Sequence, residues 1–195
     1  MPIEPVTLEG RHVRLESLEM HHLQGLTDVG LEGDVFRWMP KIVRTTEDMR
    51  TMVEELVLDR TDGIVLPFAT IERESGRIVG STRFMAIDSV NRHVEIGGTW
   101  IAPAWQRTAI NTEAKFLMLQ HAFETWGFIR VEFKTDSLNT RSRQAVLRIG
   151  ATEEGTFRNH MMVDGGRIRH SVYFSITREE WPGIKVKLLT RLARV

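Results

Sequence analysis

The chain has 195 residues, of which 42% are hydrophobic and 27% charged, with 26 basic side chains balanced by 26 acidic ones. That balance suits a soluble globular protein and gives no electrostatic case for sequence-independent binding to nucleic acid, which works by counterion release from a basic surface; it leaves room for a local basic patch. With no cysteine, disulfides, thiolate metal sites and a cysteine nucleophile are excluded. Met1-Pro2-Ile3-Glu4-Pro5 lacks the basic-then-apolar order of a secretory signal. No apolar run approaches the roughly 18 residues of a membrane span. The expectation is a cytoplasmic protein with no membrane or nucleic-acid partner.

In chain order, His12 to Leu18 alternates apolar and polar residues and reads as a half-buried strand. A modest helix follows through Leu31, ending near Gly30 or Gly33, and Phe36, Trp38 and Met39 form an aromatic knot before Pro40. Thr45 with Asp48 resembles a capping box, and Met49, Met52, Val53 and Leu56 continue at helical spacing to about Asp59. Leu66–Arg73 and Arg77–Ile87 form a hairpin across Glu74-Ser75-Gly76. Val94–Ile101 is a further strand, interrupted by Gly97-Gly98, a pair that marks a bulge or a close backbone approach.

From Thr108 to Trp126 the pattern is strongly helical, with Ala114, Leu117, Met118, His121 and Ala122 on one stripe and a stop at Gly127. Val131–Thr135 is a strand, and Thr140–Arg148 a helix ending at Gly150. Thr152–Val163 and Ile168–Ile176 pair across Asp164-Gly165-Gly166. Thr177 with Glu180 caps a final helix bearing Ile184, Val186, Leu188, Leu189 and Leu192. The order predicts one α+β domain over residues 1–195, with a largely antiparallel central sheet flanked by helices and 177–195 as a C-terminal helical extension. The strand–helix–strand–helix middle resembles a parallel crossover unit.

The chemistry concentrates between Trp105 and Lys115, where a polar turn after Pro103 opens the long helix. Unpaired amides at a helix N-terminus, at the positive end of its dipole, make a phosphate site. Arg107 can add a charged contact, and Thr108, Asn111 and Thr112 offer side-chain hydrogen bonds. Upstream, Glu95-Ile96-Gly97-Gly98-Thr99-Trp100 places an acid and a glycine pair on the strand feeding that turn. Downstream, Asn139-x-x-Ser142 opens a helix that ends at Gly150-Ala151.

In their order and spacing these segments resemble the GNAT superfamily of acyl-CoA-dependent N-acyltransferases, and within it the branch of the RimJ/RimL ribosomal-protein N-terminal acetyltransferases. The resemblance runs from Leu8-Glu9-Gly10-Arg11-His12-Val13-Arg14-Leu15 through the hairpin before Thr177. It implies acetyl-CoA as donor, CoA as product and no metal. It also implies that the strand Glu95–Ile101 splays from a parallel neighbour at Val131–Thr135, with pantetheine in the cleft. Backbone at Gly98, Thr99, Trp100 and Ile101 would meet pantetheine, and Gln106, Arg107, Thr108, Ala109, Ile110 and Asn111 the pyrophosphate, with Thr112, Asn139 and Ser142 nearby. Glu95 matches the family's strand acid and is the candidate general base; its other reading is a solvated outward residue.

Two departures stand out. The family's loop reads Gln/Arg-x-x-Gly-x-Gly/Ala, whereas this chain has Ala109 and Asn111 at those positions, and Arg107 where this branch commonly has glycine. Alanine is tolerable where φ stays negative; Arg107 either contacts phosphate or obstructs the groove. The tyrosine that protonates the leaving thiolate in many relatives is Val146 here, and the single tyrosine, Tyr173, lies on the last strand. Ser142 is the substitute donor, or else a capping and CoA-binding residue.

The histidines His21, His22, His93, His121, His160 and His170 are scattered without the spacing of a zinc helix. His121 reads as a core or boundary residue, and His93 as a proton-relay candidate beside Glu95. Trp38 and Arg83 are substrate-binding candidates, Arg83 for an acceptor carboxylate or a backbone carbonyl, with Met39, Phe68 and Trp100 as further lining or core. The expected function is acetyl transfer to a primary amine: a protein N-terminus, an amino acid or a small amine. The alternatives are a non-catalytic acyl-CoA binder and a dimerisation domain using the C-terminal helix, whose apolar face otherwise packs on its own domain.

Overall fold

The computed structural model describes residues 4–194. One eight-stranded sheet organises them, with strands β1 (Leu8–Glu9), β2 (Val13–Ser17), β3 (Val65–Glu72), β4 (Ile78–Asp88), β5 (His93–Ile101), β6 (Arg130–Asp136), β7 (Thr152–Met162) and β8 (Ile168–Thr177). Their order across the sheet is β1-β2-β3-β4-β5-β6-β8-β7. Every neighbouring pair is antiparallel except β5 and β6. The α+β expectation and its single parallel pair therefore hold. The two-residue strand β1 was not expected.

Helices cover both faces. On one, α1 (Leu23–Gly30) and α2 (Thr46–Thr61) bury Leu26, Val29, Met49, Val53 and Leu56 against Leu18, Ala69 and Trp100. On the other, α3 (Ala109–Gln120), α4 (Thr140–Arg148) and α5 (Trp181–Leu192) lie over Val94, Ile96, Val131, Phe133, Phe174 and Ile176. Phe84, fully buried, packs its ring 4.6 Å from Trp126 and 5.9 Å from Phe68.

Local signals account for the helix boundaries. Thr45 Oγ1 accepts from the Asp48 amide at 3.1 Å while Asp48 Oδ2 accepts from the Thr45 amide at 2.9 Å, closing the expected box. α3 ends in a π-helical turn, His121–Thr125, before Gly127 stops it at φ +67°. The final helix differs from expectation: Thr177 donates both its amide and its hydroxyl to Glu180 Oε2, at 2.8 and 3.1 Å. That pair closes a separate turn, and α5 starts only at Trp181, where Pro182 suits the first turn because no N–H is needed there. Ile184, Leu188 and Leu192 are buried, so α5 packs on its own chain.

One buried carboxylate sets where α3 lies. Glu113 accepts from the amides of Arg11, His12 and Val13 at 2.9, 2.6 and 2.8 Å. The carboxylate occupies the space a side chain at Gly10 would need, since a Cβ there would meet Glu113 Oε2 at 2.5 Å. Helix α3 is thereby fixed to the turn before β2. Removing the acceptor leaves buried donors unpaired, so Glu113→Ala is expected to lose about 3 kcal/mol of stability, at about 1–3 kcal/mol per unsatisfied group. Urea unfolding would show it, and a loss below about 0.5 kcal/mol, the scale of an ordinary surface change, would contradict this role.

Candidate functional site

The parallel ladder between β5 and β6 is short. It pairs His93 with Arg130, Val94 with Val131 and Glu95 with Glu132, and then the strands part. Beyond the fork, β5 remains paired only to β4, with a register break between Ser81/Trp100 and Arg83/Gly97. The extra residue is accommodated at Gly98, whose φ is +56°. Any side chain there would also meet Arg83 Nε at 2.7 Å. Gly97 is needed for space, because a Cβ at that residue would lie 2.9 Å from Met85 Sδ and 3.1 Å from Glu95 Oε1.

Past the open end of the fork, residues 103–108 lead into α3. Arg107 has φ +66°, the left-handed region in which glycine is at ease, and Ala109 keeps a helical conformation. Thr108 is the N-cap: its Oγ1 donates to Trp105 O at 2.7 Å and accepts from the Ile110 amide at 3.3 Å. The amides of Ala109 and Asn111 belong to the first turn, which has no preceding helical turn to accept them. Asn111 itself turns Oδ1 into the interior without a donor. Gln106 clasps the two walls, with Nε2 donating to Ile101 O at 2.8 Å and Oε1 accepting from Arg141 of α4. At the start of α4, Asn139 Oδ1 accepts from the Ser142 amide at 3.0 Å. The Asn139 carboxamide oxygen is thus the helix cap.

Strand alternation gives the fork two chemically distinct faces. Towards α1 and α2, Glu95 is buried and pairs its Oε2 with Lys134 Nζ of β6 at 3.1 Å. Arg83 lies beside Gly98 with Nε buried and unbonded. Burial pulls its pKa down, and the charges of Glu95 and Asp59 oppose that shift. Lys134 also faces the Tyr173 ring at 5.7 Å, and Tyr173 Oη reaches His160 Nε2 at 3.4 Å. The polar chain continues through Ser171 and Arg169 to Asp136, whose carboxylate takes Arg167. Arg167 in turn stands 5.6 Å from the Trp38 ring.

Towards α3, Lys115 is enclosed and donates to Thr82 Oγ1 at 2.8 Å and Thr99 Oγ1 at 2.7 Å. Burial alone lowers its pKa to about 7.

The fold thus gathers Glu95, Arg83, Gly98, Thr99 and the Gln106–Asn111 turn around one fork. Trp100 and Ile101 bury their side chains in the core and offer only backbone, and Phe68 is core as well. Trp38 sits in the segment before α2, where Ile42 donates its amide to Asp164 Oδ2 at 2.8 Å. His93 pairs with Asp88 at 3.4 Å rather than with Glu95. His121 packs near Phe84 and Trp126, and burial lowers its pKa. Sequence reading missed Lys134, Tyr173, His160 and the role of Lys115. The signals were a lysine two residues after Glu132 on a strand, and a charged residue inside the apolar stretch Ala114 to Met118.

Among the described residues Glu16, His21 and His22 bring ligand-type atoms within 4.8 Å of one another. His22 Nδ1 accepts the Glu19 amide at 3.0 Å, so Nε2 carries the proton that it shares with Glu16 at 3.1 Å. The ring has no lone pair left for a cation. No helix among the described residues is long and apolar enough to cross a membrane.

Comparison with known proteins agrees with this geometry. The profile of the acetyltransferase (GNAT) domain family matches residues 12–152. YdaF of Bacillus subtilis (strain 168), provisionally named a ribosomal N-acetyltransferase, is 36% identical over 111 residues, 56% of this chain and 59% of that protein. The match to that relative therefore spans less than two thirds of its length. A GCN5-related N-acetyltransferase from Brucella melitensis superposes with a TM-score of 0.91 at 32% identity, over 98% of this chain and 87% of that one. Mycobacterium smegmatis RimJ, solved with CoA-disulfide, gives 0.82 at 24% identity over 97% and 96% of the two chains, a likeness of fold.

Two expectations follow from the site. Arg107→Gly and Arg107→Ala both remove the guanidinium, but only glycine relaxes the left-handed backbone, so the glycine variant should be about 1 kcal/mol the more stable. Equal stability in urea would remove the strain. For Lys115, the folded pKa of about 7 lies below the ordinary lysine value of 10.5. Between those values the unfolded chain holds a proton that the folded chain lacks, so stability rises with pH across that window. Measured against Lys115→Met at each pH, wild type should be flat below 7 and gain stability up to 10.5. A constant difference would show that burial does not perturb this amine.

Proposed function

The chain belongs to the GNAT family of acetyltransferases, and from that premise we propose that it is an N-acetyltransferase of the RimJ/RimL type. In this reading acetyl-CoA is the donor, and a primary amine (a protein N-terminus, an amino acid or a small amine) is the acceptor, both held in one ternary complex. The supporting observation is the fork: β5 leaves β6 directly after Glu95, and its open end leads to the N-terminal turn of α3. An extended, amide-bearing arm can pair with the exposed strand edge, and free amides at the helix start suit its pyrophosphate. The residues present fit such a donor: Arg107 already adopts the glycine-like conformation and Ala109 stays helical.

When bound, acetyl-CoA supplies an activated acyl group; the chain supplies position and protons. Glu95 Oε2 is held by Lys134, which leaves Oε1, lying over Gly97, to take the proton from the attacking amine. The amides at Gly98 and Thr99 polarise the carbonyl. Gln106, Arg107, Thr108, Ala109, Ile110, Asn111 and Thr112 hold the donor's phosphates, with Asn139 and Ser142 at the opposite wall. Arg83 and Trp38 serve the acceptor side. The cysteine-free composition fits a reducing cytoplasm.

A second reading, a non-catalytic acyl-CoA binder, is favoured by Val146 at the tyrosine position and by the ion pair on Glu95. Thiol release from acetyl-CoA with a panel of amines separates the two. Glu95→Gln is expected to lower kcat by about 10²-fold, the scale of general acid–base catalysis, with CoA affinity unchanged. CoA binding without turnover would favour the binder, and failure to bind CoA would sink both.

A further inference from the structure

Of the described lysines only Lys115 is buried. A buried ammonium is ordinarily neutralised by a carboxylate, yet Lys115 has hydroxyl partners alone, Thr82 of β4 and Thr99 of β5. The charged groups of the surrounding elements are engaged elsewhere. Glu113, on the same helix, holds the amides of Arg11, His12 and Val13. His121, further along, lies against Phe84 and Trp126. Arg83 and Glu95 project from the opposite face of β4 and β5 by strand alternation, and β2 turns Val13 and Leu15 inward.

This arrangement has a direction. The Thr82 and Thr99 hydroxyls are 2.8 Å apart, and Lys115 donates to both. Thr82 has Thr99 or Met118 Sδ, at 3.7 Å, for its own proton. Thr99, partly buried, is the member of the network on the part of β5 that β6 has left, and its own proton has only the Gly97 carbonyl, at 3.4 Å, or Thr82 to go to. Val146 leaves the leaving group without the phenol that the family resemblance would supply on α4.

We propose that Thr99 protonates the departing thiolate and that Lys115, acting through Thr99, is the source of that proton. The inference rests on the acetyl-transfer reading above. As the C–N bond forms, the C–S bond of the donor substrate breaks and its electron pair goes to sulfur. Sulfur takes the Thr99 hydroxyl proton, and Thr99 Oγ1 takes one from Lys115 Nζ, leaving a neutral amine. The proton lost by the acceptor amine goes to Glu95. After the products leave, Glu95 releases that proton to water and Lys115 regains one through Thr99, so no net charge accumulates. Burial makes this amine a willing donor, since its pKa is lowered to about 7. An ordinary lysine would hold its proton too tightly.

The test uses Lys115→Met, Thr99→Val and Thr99→Ser with acetyl-CoA and whichever amine wild type accepts. Wild-type kcat should fall as pH rises through about 7. Lys115→Met and Thr99→Val should each lower kcat by about 10²-fold, leave KM for acetyl-CoA unchanged and abolish that alkaline fall, and Thr99→Ser should restore it. The double variant should be no slower than either single, because the two groups act as a unit. Calorimetry of CoA binding gives a reading free of turnover: wild type, Lys115→Met and Thr99→Val should all bind CoA alike, so that any loss of rate is a loss of proton transfer and not of donor binding. A Lys115→Met enzyme that keeps the alkaline fall, or a Thr99→Val enzyme at the wild-type rate, would overturn the relay. Thr99→Val carries the test by itself if Lys115→Met does not fold. Wild type that binds no CoA would instead remove the reading on which the relay rests.

Discussion

A strand offers hydrogen-bonding groups along both edges, and every buried one needs a partner. β5 satisfies its β4 edge over most of its length, but its other edge meets β6 for three residue pairs only. The bulge at Gly98 adds twist and turns the strand away, and the Gln106–Arg141 contact joins the two walls beyond it. The open stretch between is therefore a fixed gap in an otherwise continuous sheet. Its depth depends on where α3 is held, and that in turn depends on the Glu113 carboxylate and the amides it captures.

Most elements were readable because they rest on local chemistry. The Thr45–Asp48 box, the Glu74-Ser75-Gly76 turn, the stop at Gly127 and the Gly97-Gly98 interruption each act within a few residues. The resemblance to a known superfamily supplied the parallel pair and the candidate loop. Other features were illegible because their partners are far apart in sequence. Glu113 reaches residues about a hundred positions earlier, and Lys134 finds Glu95 across a parallel pairing that composition does not announce. Lys115 carried a weak signal, a charge inside an apolar stretch, but only the tertiary structure shows that its partners are threonines. Thr177 and Glu180 mark the converse failure: the pair forms as expected, yet closes a turn of its own instead of starting the helix.

Three violations of local preference lie near the fork. Arg107 takes a left-handed backbone, Lys115 is buried without a counter-ion, and Arg83 keeps Nε unbonded. Ala86, Arg92 and Asn159 also take positive φ; Ala86 lies within β4, Arg92 in the turn between β4 and β5, and Asn159 within β7. Strain and unsatisfied polarity of this kind persist only where surrounding structure enforces them. Here the enforcing structure is the two cores, one on each side of the sheet, which also keep Arg83 and Glu95 apart from Lys115. An acid–cation pair on one face and an isolated amine on the other are thus insulated by a single strand.

The position of β8 bears on how such a chain is made. It lies between β6 and β7, so the β7–β8 hairpin attaches to the rest of the sheet through its second strand. Helix α5 then seals α3, with Trp181 stacked on Phe123 at 5.5 Å. Until residues 168–192 have been synthesised and released, β6 lacks its antiparallel partner and the apolar side of α3 lacks part of its cover. A nascent chain therefore presents an unfinished sheet edge until β8 has emerged. The sheet and the cover of α3 are thus completed by β8 and α5, which follow in chain order the elements they close.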